Sequence, residues 1–183
     1  MRTLPWILAA LFCVCVNVCA QAPAISKSAT IEVSDSEGNS QTLDRWRSSY
    51  GSTSRTKAVS RELGITVRNM SGTLPAEFEV EWYFFGKPAQ GSRRFIYDKG
   101  SKRLSLKPGT FDKFLVTSKE LSNYRYNSAV SNRTYHSGEK AEGWIVRVKS
   151  GDEVVRVKAS SPQLEQIEKN PPEFQKYVAE ARK

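Results

Sequence analysis

The chain has 183 residues and a formal net charge of +9, from 28 basic against 19 acidic side chains, with one histidine. A lone histidine excludes multi-histidine metal centres, and Cys13, Cys15 and Cys19 all fall in one short N-terminal segment. The length suits one domain with a sizeable core.

Arg2 precedes an apolar run from Leu4 to Val18, which closes on Val18-Cys19-Ala20 before Gln21. A charged start, a short apolar stretch and a small residue at the cleavage point predict a secretory signal peptide over residues 1–20. The run is shorter than the roughly 20 residues a bilayer crossing needs, and no later segment approaches that length, so no transmembrane span is expected. Cleavage would remove every cysteine and leave about 160 residues with a charge near +8. No disulfide, zinc-thiolate site or cysteine nucleophile is then expected. An exported chain without disulfides points to a bacterial envelope, in a periplasmic, extracellular or envelope-associated location. The surplus positive charge suits anionic surfaces and acidic glycans, while export argues against nucleic acid as the partner.

Gln21–Ser28 reads as a flexible leader. Residues 29–160 then show period-two alternation with turn punctuation, the pattern of an all-β domain. Asp35-Ser36-Glu37-Gly38-Asn39 reads as a hairpin turn, because its oxygens lack the spacing of a calcium loop. Leu63, Ile65 and Val67 alternate on one strand. Phe78, Val80, Trp82 and Phe84 alternate on the next, with Glu77, Glu79, Glu81 and Tyr83 on its other face. Asp98-Lys99-Gly100-Ser101 has turn composition between two apolar triplets and predicts a hairpin, and Pro108-Gly109 predicts a further turn. Phe111–Thr117 is read as another strand.

The last hairpin carries the most specific expectation. A two-residue loop at Gly151-Asp152 would pair Val148 with Val155, Val146 with Val157 and Trp144 with Ala159. It would also set Arg147 opposite Arg156, a like-charge pair that destabilises a ladder. Glu77, Glu79 and Glu81 would relieve it if their strand lay beside Trp144–Lys149.

Strands at this spacing, with Trp82 facing inward on an early-middle strand, resemble an immunoglobulin-like or fibronectin-III-like sandwich. No cysteine pair flanks Trp82, so the antibody-type signature is missing. The closing stretch from Gly143-Trp144-Ile145-Val146-Arg147-Val148 through Ser160-Ser161-Pro162 is similar to uncharacterised exported bacterial sandwich proteins, a resemblance that implies no activity. The expected fold is therefore a single antiparallel β-sandwich, immunoglobulin-like, with a short helical tail over residues 161–183. Ser161-Pro162 starts one helical turn and Asn170-Pro171-Pro172-Glu173 caps another. Phe174, Tyr177, Val178 and Ala181 share one face of that last helix, which either packs on the sandwich or serves assembly with a partner.

No catalytic constellation, cofactor motif or metal site emerges. His136 lacks a nucleophile elbow and reads as an exposed loop residue. The glutamates at Glu77, Glu79 and Glu81 have the same-face spacing of a glycosidase carboxylate pair but read better as a charged outer face. Asn69-Met70-Ser71 and Asn132-Arg133-Thr134 match the glycosylation pattern, which is short enough to arise by chance.

Two stretches look like interaction loops. Arg45–Lys57 mixes four cations with Trp46 and Tyr50, and Leu121–Gly143 carries Tyr124, Arg125, Tyr126, Arg133, Tyr135 and His136 with little periodicity. Loops this long and unpatterned are uncommon unless functional, and Tyr and Arg are frequent interface anchors. The functional expectation is an exported, non-enzymatic binding or accessory protein that contacts an envelope protein or anionic polysaccharide through these residues. The alternatives are a structural subunit of an envelope assembly and, more remotely, a carboxylate-based hydrolase.

Overall fold

The computed structural model describes residues 28–181, so the segment expected to be a signal peptide and most of the expected leader lie outside the described residues. Eight strands follow one another: β1 (Ala29–Arg47), β2 (Thr53–Asn69), β3 (Ala76–Pro88), β4 (Phe95–Leu106), β5 (Phe111–Thr117), β6 (Leu121–Ser128), β7 (Arg133–Ser150) and β8 (Glu153–Ala159). Two helices close the chain, α1 (Pro162–Glu168) and α2 (Pro171–Ala179). All the pairings are antiparallel, in the order β1-β2-β6-β7-β3-β4, with β5 on β2 and β8 on β7.

Alternation explains how this sheet becomes a sandwich. Leu63, Ile65 and Val67 of β2 pack in one cluster with Phe78, Val80 and Phe84 of β3 and Trp144, Val146 and Val148 of β7. Half-buried Trp82 joins them, its indole tilted against Phe114 of β5 with ring centroids 6.1 Å apart. The β1-β2-β5 half thus faces the β4-β3-β7-β8 half across one apolar layer. β6 bridges the halves, pairing with residues 53–59 of β2 and with the start of β7.

Four segments read as turns or loops are wholly or mostly strand, among them Arg45–Lys57, which is the end of β1 and the start of β2 around a turn at residues 48–52. Asp35–Asn39 stays inside β1, which absorbs it through an irregularity between Glu37 and Ser40. Asp98–Ser101 continues β4, where Gly100 sits opposite Trp82. A Cβ on Gly100 would lie 2.5 Å from the indole Cζ2, so this glycine marks close approach to a bulky ring and not a bend. Leu121–Gly143 forms β6 and the first part of β7, joined by a short turn with Asn132 at φ 50°. Both strands are polar and lack an apolar stripe because this part of the sheet has no second layer, and period two cannot be seen without one. His136 accordingly lies on β7, partly covered, and not in a loop.

The final hairpin turns where expected, with Gly151 at φ 60° and Ser150 opposite Glu153. A bulge between Val148 and Lys149 then leaves Val155 unpaired and shifts the register. Val148 meets Arg156 and Arg147 meets Val157, so the expected Arg147–Arg156 opposition does not occur. Val155 still reaches the central core, whereas Val157 and Ala159 turn to the outer face. The reason lies in the tail: α1 and α2 supply a second apolar layer there. Leu164, Ile167 and Phe174 pack with Tyr83, Phe85, Ile96 and Ile145.

Strand β3 does lie beside β7, with Glu81 opposite Arg147 and Glu79 opposite Lys149. Arg147 is held by Glu81 at 3.7 Å and Glu168 of α1 at 3.6 Å, and its guanidinium lies 4.8 Å from the Phe174 ring centre. Lys149 reaches Glu81 at 3.3 Å and Glu79 at 3.7 Å. Both helices start where their capping signals place them, but only Ser161 caps through its side chain, and Asn170 makes no side-chain hydrogen bond to the backbone of α2. The Ser161 side chain accepts a hydrogen bond from the Leu164 amide, and Asn170 donates to the Glu173 carboxylate at 3.1 Å. Phe174 meets Tyr83 edge-on at 5.0 Å and Tyr177 meets Phe85 at 5.8 Å, so the apolar face of α2 is spent on the sandwich.

Asn69 is fully buried. Its amide donates to the Leu74 and Leu106 carbonyls at 3.0 and 3.2 Å, and its oxygen accepts from the Ser71 amide. That sequon asparagine is a structural clamp.

Candidate functional site

Beyond the sandwich, β1, β2, β6 and β7 run on as a four-stranded ribbon. Register fixes what each face carries. Arg45, Arg55, Arg125 and His136 are successive partners across the four strands and share a face. The next row on that face is Arg47, Thr53, Asn127 and Thr134. This face continues the one that Leu63 and Leu121 present to the core. The inner face of the sandwich therefore changes from apolar to cationic where the covering sheet ends.

Trp46, Ser54, Tyr126 and Tyr135 form the corresponding row on the opposite face, with Tyr124 one position along β6 and Arg133 beside Tyr135 on β7. The Tyr126 and Tyr135 rings lie 6.0 Å apart at 32°, and Trp46 is 51% exposed. Tyr50 stands at the tip of the β1–β2 turn, 83% exposed. That turn is tied to the β6–β7 turn by a hydrogen bond from the Ala129 amide to Ser52 Oγ, 3.1 Å. The eight residues picked out in the sequence are thus brought to one end of the molecule but divided between two faces. Only Arg125 and His136 lie on the cationic side.

The cationic face holds a cleft of about 400 Å³ lined by Arg45, Arg47, Arg55 and Arg125 together with Trp46, Thr53, Ser54 and Asn127. No carboxylate lines it. Among the described residues none of these four arginines takes part in an ion pair; the ion pairs formed elsewhere use other cations. Their hydrogen bonds go to neutral groups. Arg55 donates to Thr42 Oγ1 at 3.2 and 2.8 Å, and Arg125 donates to Asn127 Oδ1 at 3.2 Å. Asn127 is in turn fixed by Thr134, which donates to the same oxygen at 2.9 Å, and by its own donation to Thr53 Oγ1 at 3.3 Å.

Like charges directly opposite on a ladder destabilise it. The sheet pairs Arg147 with two glutamates but, among the described residues, gives Arg45, Arg55 and Arg125 no ion pair. Sequence reading missed Arg45, Arg47 and Arg55 as a set with Arg125. They are 70–80 positions from Arg125 in the chain, and only the β2–β6 register joins them.

The glutamates of β3 sit differently. Glu79 and Glu81 are engaged by Lys149 and Arg147, as a charged outer face requires. A larger cleft of about 580 Å³ beside Glu77 and Glu79 also contains Arg103 and Asp152, giving it mixed charge. Among the described residues no group of three or more histidine, cysteine or acidic side chains is arranged to hold a metal ion, and no helix is long and apolar enough to cross a membrane.

No family model matches the chain, and no curated protein matches it. Several solved structures are similar to part of the chain. The β-glucosidase D2-BGL from Chaetomella raphigera shares 13% identity over 72% of this chain and 18% of its own, with a TM-score of 0.36. A β-glucosidase from Kluyveromyces marxianus shares 16% identity over 72% of this chain and 13% of its own, with a TM-score of 0.30. A protein from Akkermansia muciniphila shares 14% identity over 73% of this chain and 71% of its own, at 0.31. The chain spans less than a fifth of the length of these glucosidases, and at such scores the similarity carries no conclusion about activity.

Proposed function

We propose that this chain is an exported, immunoglobulin-like binding protein without catalytic activity, and that it holds an anionic polymer of the cell envelope in the arginine cleft. The observation that carries the reading is the cleft itself: four arginines line it, with no carboxylate among the lining residues. A fold that tolerates three arginines abreast gains stability when an anion sits between them. The charged start, short apolar run and small residues before Gln21 support export, which would bring the cleft to envelope material.

Assembly through the C-terminal helix is less favoured, because Phe174 is buried against the sandwich and Tyr177 packs on Phe85. A protein partner remains the competing occupant of the ribbon's aromatic face.

The test compares labelled dextran sulfate with neutral dextran of the same length. The purified protein is expected to bind the sulfated polymer alone, with affinity falling as salt rises. Replacing Arg55 and Arg125 together by Gln should remove most of that affinity. Equal binding by this variant, or equal binding of neutral dextran, would refute the reading.

A further inference from the structure

The register says more about the ligand than its sign. Arg45, Arg55 and Arg125 occupy adjacent strands at one level of the ribbon, and neighbouring strands are spaced about 4.8 Å apart. The row therefore runs perpendicular to the strands as a comb with one cation per strand. An extended glycan advances by a comparable length for each sugar residue, so a polymer with one anion per sugar can set one on each tooth.

The second row completes the pattern. Thr53, Asn127 and Thr134 lie one step along the same face, interlinked through Asn127. Hydroxyl and amide groups there can exchange hydrogen bonds with ring hydroxyls, while guanidinium forks suit planar carboxylates held through two oxygens. A sugar ring with a carboxylate on one edge and hydroxyls on the other presents the complementary order. A nucleic acid does not. Its bases need a run of aromatic rings beside the phosphate track, and Tyr124, Tyr126 and Tyr135 are on the opposite face of the sheet.

We infer that the arginine cleft takes a linear polyuronate, lying across β1, β2 and β6 with one carboxylate on each of Arg45, Arg55 and Arg125. This inference rests on the anionic-polymer reading above and narrows it to a ligand class and an orientation.

The experiment is calorimetric titration of the purified protein with oligogalacturonates of two to six residues, their methyl esters, and polyphosphate of matched charge. Affinity is expected to rise about two- to fivefold for each residue added up to three or four, then to level off once the comb is filled. Methyl esterification should abolish binding. Arg55→Gln and Arg125→Gln should each weaken the trisaccharide severalfold. Lys113→Gln, which removes the same charge from β5, should leave it unchanged. Polyphosphate binding as tightly as the uronates would overturn the ligand class while leaving the anionic reading intact. Affinity that keeps rising through six residues would overturn the comb. Absence of binding to every anion, dextran sulfate included, would sink both proposals.

Discussion

Replacing Arg55 by Gln should make the free protein more stable, because Arg55 is the middle member of the cationic row. It stands directly opposite Arg45 on one side and Arg125 on the other. Each such opposition costs roughly 0.2–1 kcal/mol, and the substitution removes both at once. Against this stands the loss of two exposed hydrogen bonds to Thr42 Oγ1, which a Gln side chain replaces only in part. The net gain expected is about 0.5–1 kcal/mol, or a rise in Tm of about 1–4 °C for a domain of this size. Thermal unfolding followed by circular dichroism at low ionic strength measures it. Salt supplies the internal control, since the screening length shrinks from about 10 Å at 0.1 M to about 3 Å at 1 M. The gain should disappear in 1 M sodium chloride. Arg61→Gln provides the opposite sign, because Arg61 is paired with Asp35 at 2.8 Å and its loss should lower Tm. A lower Tm for Arg55→Gln at low salt, or a gain that persists at 1 M, would refute the argument that the row is electrostatically strained.

Gly100→Ala should destabilise by about 1–3 kcal/mol, since its Cβ would meet the Trp82 indole at 2.5 Å, whereas Gly72→Ala, with open space around it, should be neutral; equal Tm values for the two variants would contradict the close packing of β3 on β4. Phe174→Ala removes a side chain only 2% exposed, so α2 should undock and become cleavable by trypsin at Lys169 and Lys176 while the strands resist; an unchanged digestion pattern would mean that the helix is held by other contacts. Burial, followed by the adjacent Glu81 carboxylate, raises the Tyr83 phenol above its ordinary value near 10. The folded state therefore keeps this proton more tightly than the unfolded chain. The associated stability is fully present below about pH 10 and is lost as pH climbs towards the folded value. Tyr83→Phe should flatten the decline in Tm above pH 10, and an identical decline in both proteins would count against the assignment.

The strands that bury an apolar face were legible from alternation alone, as in Leu63, Ile65 and Val67 or Phe78 through Phe84. The adjacency of β3 and β7 was expected from an Arg147–Arg156 opposition that does not occur, and it holds because Glu81 and Glu79 meet Arg147 and Lys149. Misreadings arose where local composition competed with tertiary context. Gly100 carries a turn signal but is required by the Trp82 ring, and Val155 was displaced by a bulge that lets Val157 and Ala159 meet the helical layer. The β6–β7 hairpin was missed because both its faces are polar, leaving no periodic stripe to read. The candidate site shows the same limit. Tyr124, Arg125, Tyr126, Arg133, Tyr135 and His136 stood out by residue type, but their division between two faces depends on register. The decisive partners of Arg125 come from β1 and β2, far away in the chain.

The most direct test of the account is the affinity of the purified protein for a trigalacturonate, measured in parallel for wild type, Arg55→Gln/Arg125→Gln and Lys113→Gln/Lys176→Gln. The two double variants lose the same net charge, one pair from the cationic row and the other from elsewhere on the surface. Loss of binding confined to the row variant is the expected result. Equal weakening in both would show that only overall charge matters, and full retention in the row variant would contradict the arginine cleft as the binding site.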